Sequence, residues 1–260
     1  MQLGRTFVMG DIHGTARAVK QCLNLVNFNY KKDTLITLGD YIDGYPEPYE
    51  VVEELLKIRQ RISLLGNHDE WLAEFLRTDY HPAHWNYGGR ATILSYLKHA
   101  GKPARFIATG KGYKSALEKE DIPLSHRSFF ESLHPYYIDE QRRCFLHAGF
   151  NRHLSFFKQR PTEYFWNRSL WEEALNCQMN PGIFTDEFSQ DCDFKEIFIG
   201  HSPTQKFGRD QPMKALNIYN LDTGAGHIGK LTIMNVETKE YWQSDPVTSM
   251  YSESEMYRRS

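Results

Sequence analysis

The chain has 260 residues, 40% of them hydrophobic and 14% aromatic, with a formal net charge of −2 at pH 7. That is enough apolar material for one large domain core, and the near-neutral balance gives no basic field that would suggest nucleic acid or an anionic membrane as the main partner. Cys22, Cys144, Cys177 and Cys192 form no CxxC pair and are too few to scaffold a chain this long, and no apolar run approaches the roughly 18 residues of a spanning helix, so the expectation is reduced thiols in a soluble, cytoplasmic protein.

The first third alternates short apolar runs with helix-period segments. Residues 6–9 (TFVM), 34–38 (TLITL) and 62–65 (ISLL) read as buried strands, each running into a glycine. Between the first two, residues 15–26 form a weaker helical segment with Thr15 as a cap and Val19, Leu23 and Val26 on one face. Between the last two, EPYEVVEELLKIRQR places Val51, Leu55 and Ile58 at i, i+4 and i+7, an amphipathic helix. A β-α-β-α-β order implies right-handed crossovers and parallel strands whose C-terminal ends share one edge of a sheet. GDIHG, GDYIDG and GNHD reach that edge together, with 29 residues from Asp11 to Asp40 and 27 from Asp40 to Asn67, each about one βαβ repeat.

After Glu70 the pattern loosens. Residues 71–77 continue as helix, DYHPAHWNYGGR is an irregular aromatic loop, and residues 91–99 are helical again. The stretch from about 101 to 124 is rich in Lys, Gly and Pro, so residues 78–124 read as a cap or insertion, and a further helix opens at Pro123 and runs to Leu133. Strands return at 136–139, 143–146, 196–199, 216–221 and 229–236, the last turning at Glu237-Thr238-Lys239 into a hairpin. These runs favour a pair of mixed sheets in one domain over residues 1–245, followed by a polar tail, 246–260, expected to fray.

Five short motifs stand at strand exits: GDIHG (10–14), GDYIDG (39–44), GNHD (66–69), HAG (147–149) and GHS (200–202). Each sets an Asp, Asn or His beside a glycine that allows a sharp turn. Singly, each reads as readily as a capping pair or a satisfied histidine; in order, each after an apolar strand, they point to a metal centre. A donor set of oxygen and imidazole nitrogen without thiolate suits Mn²⁺, Fe or Zn²⁺ better than Mg²⁺ or Ca²⁺.

These motifs, over most of the chain from Gly10 to His201, resemble the GDxHG, GDxxDRG, GNHE, HGG and GH signatures of the calcineurin-like metallophosphoesterases, in particular small bacterial serine/threonine-phosphatase-like members. The resemblance implies a four-layer α/β fold, a central β-sandwich of mixed sheets flanked by helices, that holds two divalent metals, Mn before Fe or Zn. By the same resemblance Asp11 and His13 hold the first metal, Asp40 bridges, and Asn67, His147 and His201 complete the second. His68 becomes the general acid, with Asp43 as its carboxylate partner, and Asn67 also touches substrate phosphate. Asp69 stands where the family has Glu, a shorter reach whose partner is left open. Two metals about 3.5–4 Å apart can hold an attacking hydroxide and clamp phosphoryl oxygens, so no nucleophilic Ser or Cys is needed. Phosphodiesterase-type relatives carry a second His two residues after the GH motif; Ser202-Pro203 here argue for the phosphatase type.

The departure lies at Gly44, where the family's phosphate-binding Arg is missing. Arg168 in FWNRSLW and Arg90 in YGGR are the candidate replacements, each weighed against an ordinary surface arginine. The aromatics of HPAHWNYGG either line a cleft or pack, and a platform of Trp85, Tyr87 and Trp166 would favour a nucleotide substrate. His81, His84, His126, His134, His153 and His227 lack the strand-exit setting and read as structural or surface residues, and LDTGAG (221–226) reads as a tight turn rather than a P-loop. The expected activity is hydrolysis of phosphate monoesters on a phosphoprotein or small molecule, with His68 as acid. Dinucleoside polyphosphate hydrolysis is the enzymatic alternative, and a metal-binding module without turnover the non-enzymatic one.

Overall fold

The computed structural model describes residues 4–82, 85–109, 112–180, 188, 194–252 and 255. Its first sheet has the order β12-β11-β1-β2-β3, where β1 is Thr6–Met9, β2 Thr34–Thr37, β3 Gln60–Ser63, β11 Thr232–Asn235 and β12 Tyr241–Gln243. The first three are parallel and in register, Phe7 beside Leu35 and Leu35 beside Arg61, while β11 returns antiparallel to β1. Helices α1 (Ala16–Leu25) and α2 (Pro48–Leu56) make the two crossovers, as the periodicity predicts. The third strand begins two residues earlier than expected, and Leu64 instead bridges to His134.

The second sheet has the order β6-β7-β8-β10-β9: β6 Tyr136–Ile138, β7 Arg143–Leu146, β8 Glu196–Ile199, β9 Met213–Ala215 and β10 Ile218–Asn220. Here β7, β8 and β10 are parallel, with antiparallel edges. The single strand expected over 216–221 is the second arm of a hairpin that turns at Leu216, which adopts φ 53°.

Alternation along each strand makes the layers. Val8, Ile36 and Met234 of one sheet meet Phe145 and Phe198 of the other in a core between the sheets. Their neighbours Phe7, Met9, Leu35 and Ile233 face an outer layer of α1, α2, α3 (Asn67–Thr78), α4 (Gly89–His99) and α5 (Leu124–Glu131). On the far side, Cys144, Leu146, Ile197 and Ile199 face Leu170, Trp171 and Ala174 of α7 (Ser169–Met179), which follows the short α6 (Glu163–Trp166). Period-two side chains buried on both faces give the expected four-layer α/β sandwich.

Two outlying segments differ from expectation. The Lys/Gly/Pro-rich stretch folds an outer hairpin, β4 (Phe106–Thr109) with β5 (Gly112–Ser115), then drops Leu117 and Ile122 into the core. The tail, expected to fray from residue 246, docks as far as Tyr251. It forms a short α8 (Val247–Met250) that buries Val247 completely and leaves Tyr251 only 2% exposed, its hydroxyl donating to Glu47 at 2.6 Å. Two apolar side chains in a polar run are a weak sequence signal, and the partner surface is more than two hundred residues away in sequence. Cys22, Cys144 and Cys177 are buried, and burial pushes the Cys22 thiol up to about 12; Cys192 and His84 lie outside the described residues. Among the described residues no helix is long and apolar enough to cross a membrane.

Candidate metal centre

Parallel strands in both sheets end at the same edge, and each of six exits delivers a polar side chain. Asp11 and His13 follow β1, Asp40 and Asp43 follow β2, Asn67 and His68 follow β3, His147 follows β7, His201 follows β8 and Asp222 follows β10. The turns are tight enough that His13 (φ 51°), Asp40 (52°), Asp43 (68°) and His201 (63°) all take left-handed backbone. Such conformations cost on the order of 1–3 kcal/mol each and persist where surrounding structure fixes them. Gly200 permits one close approach, since a Cβ there would stand 1.9 Å from Asp11 Oδ1.

The expected ligands converge. Donor atoms of Asp11, Asp40 and His147 lie within 4.8 Å of one another, as do those of His13, Asp40 and His68, so Asp40 is common to both groups, although these triads set Asp11 with His147 rather than His13 and include His68, expected as the acid. The ring tautomers follow from the neighbours. His147 Nδ1 lies 2.8 Å from the Leu38 carbonyl, and His13 Nδ1 lies 3.1 Å from that of Asp43. A carbonyl only accepts, so both Nδ1 atoms carry the hydrogen and both Nε2 atoms present lone pairs. His147 Nε2 then faces Asn67 Oδ1 at 3.1 Å and Asp40 Oδ2 at 3.5 Å, and His13 Nε2 faces Asp40 Oδ2 at 3.4 Å.

These are acceptors pointed at acceptors. Asp11 Oδ1 and His201 Nε2 are buried without a hydrogen-bond partner among the described residues. Burial, then the charges of Asp222 and Asp40, pushes the Asp11 carboxyl well above the usual carboxylate range, while burial keeps His147 and His201 neutral by lowering theirs. Converging oxygen and nitrogen lone pairs with no donor between them fit divalent cations. Asp69 answers the question its short side chain raised: it caps the site by accepting from the backbone N–H groups of Gly66 (2.9 Å), Asp40 (2.7 Å) and Tyr41 (3.0 Å).

Beside the cluster stands a second assembly. His68 Nδ1 is 2.8 Å from Asp43 Oδ2, and the His68 backbone N–H donates to Asp40 Oδ1 at 3.0 Å. Asp43 is fully buried and further accepts from Thr92 Oγ1 (2.6 Å) and Trp85 Nε1 (3.0 Å). Neither Trp85 nor Thr92 is legible in the sequence as a partner of Asp43. They arrive through the aromatic loop and α4, which pack against the GDYIDG turn. Trp85, expected on a stacking platform, is 1% exposed and holds Asp43 instead.

The substrate side differs more from expectation. Arg168 lines the metal cluster, donating through Nη1 to the His201 carbonyl (2.6 Å) and Ser202 Oγ (3.0 Å). Arg90 is not brought there: exposed in the first turn of α4, its guanidinium lies 4.9 Å from the centre of the Phe106 ring. Sequence position after a Gly-Gly turn does not tell which way a helical side chain leaves. Gly44 has φ 106°, and a Cβ there would meet nothing closer than 3.6 Å, so backbone conformation rather than space selects glycine. Lys206, Asp222 and His227 also line the site. Asp222 had a legible signal, an acid straight after an apolar strand like the other five exits; His227, set aside as structural, is drawn in by the turn of LDTGAG.

An open groove of about 600 Å³ adjoins the cluster, lined by Trp71, Tyr87, Phe165 and Trp166 and ending at Asn67, His68 and Arg168. Trp71 stands 6.3 Å from Tyr87 in a stacked arrangement and 6.0 Å from Trp166. Tyr87 and Trp166 are 60% and 44% exposed and line the groove, whereas Trp71, 6% exposed, packs beneath them and Trp85 takes no part.

Residues 4–230 match the sequence profile of the calcineurin-like phosphoesterases. Symmetrical bis(5'-nucleosyl)-tetraphosphatases of Proteus mirabilis and Coxiella burnetii are 40% and 34% identical over 65 and 67 residues, or 25% and 26% of this chain and 24% and 23% of theirs. The chain thus matches about a quarter of the length of these curated relatives. Among solved structures, one described as a candidate diadenosine tetraphosphatase superposes with TM-score 0.64 at 17% identity, covering 94% of both chains. A protein serine/threonine phosphatase of Saccharomyces cerevisiae superposes with TM-score 0.54 at 13% identity, covering 97% of this chain and 82% of that one. At those identities the likeness is one of fold, but the profile extends over most of the sequence, and the chain belongs to the calcineurin-like phosphoesterase family.

Proposed function

We propose that the protein hydrolyses phosphoesters with two divalent metals, and that its best substrates are nucleoside polyphosphates. The observation that carries the first part is the acceptor-only cluster set against the buried His68–Asp43 pair. Asp11, His13, Asp40, Asn67, His147 and His201 would hold the metals, with Mn²⁺, Fe or Zn²⁺ matching the donors. Bound there, such ions supply Lewis acidity and an activated water for in-line attack on phosphorus. His68 gives its proton to the leaving oxygen, and Asp43 fixes the orientation of the ring. Thr92 and Trp85 hold Asp43 in turn, so the acid is aimed before substrate arrives. Arg168, anchored on His201 and Ser202 at the join of cluster and groove, contacts the substrate phosphate in place of the arginine missing at Gly44.

The groove supports the second part. Tyr87 and Trp166 offer exposed rings in the groove that Arg168 also lines, and base stacking on such rings is worth about 1–3 kcal/mol per base. Relatives named as bis(5'-nucleosyl)-tetraphosphatases agree with it. A phosphoprotein phosphatase is the second reading, favoured by Ser202-Pro203 after His201. Metal-stripped protein given Mn²⁺ should hydrolyse p-nitrophenyl phosphate and, with higher kcat/KM, diadenosine tetraphosphate. A preference for phosphopeptide would reverse the order of substrates, and no turnover of any ester would leave a metal-binding module.

A further inference from the structure

Loss of the arginine at Gly44 leaves the phosphate-holding task to other cations, and the wall away from the aromatic groove has one that no motif announces. Lys206 sits on a single turn of 3₁₀ helix, Thr204–Phe207, five residues after His201. It lines the metal cluster together with Pro203, Asp222, Gly226 and His227, none of which lines the groove. Arg168, by contrast, lines both. The Lys206 side chain is exposed and has no hydrogen bond or ion pair with any described residue, although Asp11 and Asp222 share the same small space of about 60 Å³. A flexible ammonium that is not consumed by the acids beside it is available to an anion entering over the metals.

The two cations therefore differ in place and in freedom. Arg168 is anchored where the groove meets the ligand cluster; Lys206, with no side-chain partner among the described residues, lines the cluster but not the groove. We infer that Lys206 binds a second phosphate of the substrate, beyond the one held over the metals, and so selects chains of phosphates over a single phosphoryl group. This rests on the nucleotide reading above and narrows it: the base lies in the groove, the reacting phosphate lies between Arg168 and the metal ligands, and the continuing phosphate chain reaches Lys206.

The test uses binding as well as turnover, so that the two readings fail separately. Calorimetry on Mn²⁺-loaded full-length protein compares inorganic tripolyphosphate with orthophosphate, for the native chain, Lys206→Ala and Lys206→Arg. Loss of one charge-assisted contact should weaken tripolyphosphate about tenfold more than orthophosphate in Lys206→Ala, with Lys206→Arg recovering most of the difference. Equal weakening of both anions, or no weakening of either, overturns the inference. If the selectivity is present but native protein hydrolyses no ester, the proposed activity fails and the role of Lys206 stands.

Discussion

The metal wall and the substrate wall of this site are built on opposite plans. Its proposed metal ligands come from the exits of parallel strands, are all buried, and several are tied to backbone carbonyls or N–H groups of the neighbouring strand exits. The proposed substrate wall is assembled from an aromatic loop, α3, α6 and the start of α7, with exposed Tyr87 and Trp166. The first plan fixes polar atoms through buried backbone contacts. The second leaves side chains on short elements, where replacing a residue changes what is bound without disturbing the cations. Gly44 lies on the seam: its backbone belongs to the rigid exit after β2, and the side chain it lacks would have belonged to the other wall.

Substitutions on either wall should separate these roles. The largest effect is expected from His68→Ala, which should lower kcat by about 10²–10⁴, far more on an alkyl phosphate than on p-nitrophenyl phosphate, whose leaving group needs no proton. Equal losses on both would mean that His68 supports the metals instead. Trp166→Ala should raise KM for diadenosine tetraphosphate about tenfold, within the range of one lost stacking contact, while p-nitrophenyl phosphate kinetics hold steady; parallel losses would show that the groove supports the fold rather than a base. The smallest effect is expected from Gly44→Arg. Placing a side chain at φ 106° costs about 1–2 kcal/mol, seen as a fall of several degrees in Tm. A gain in phosphate affinity without loss of Tm would show that the loop can still present the family's arginine.

Legibility in the sequence follows the same division. Five strand-exit motifs locate the metal wall because each is local: an apolar run, a glycine and a polar side chain within five residues. Asp222 also follows an apolar strand directly, but LDTGAG reads as a turn. Thr92 and Trp85 obey no local rule; their meaning comes from α4 packing over the GDYIDG turn, a contact across more than forty residues. Arg168 and Arg90 look equivalent as arginines near aromatic residues, yet one is turned into the cluster and the other onto Phe106. The docked tail was hidden for the same reason, since nothing near Val247 or Tyr251 in sequence shows that α1 and Glu47 await them.

The central claim is that Asp40 is shared between two cations, and metal stoichiometry tests it most directly. Metal-stripped protein dialysed against Mn²⁺ and measured by elemental analysis should hold two ions per chain. Asp40→Asn, of nearly the same shape but without the charge both groups share, should hold one or none while keeping its fold by circular dichroism. Two ions retained in Asp40→Asn, or a single ion in the native chain, would contradict the account.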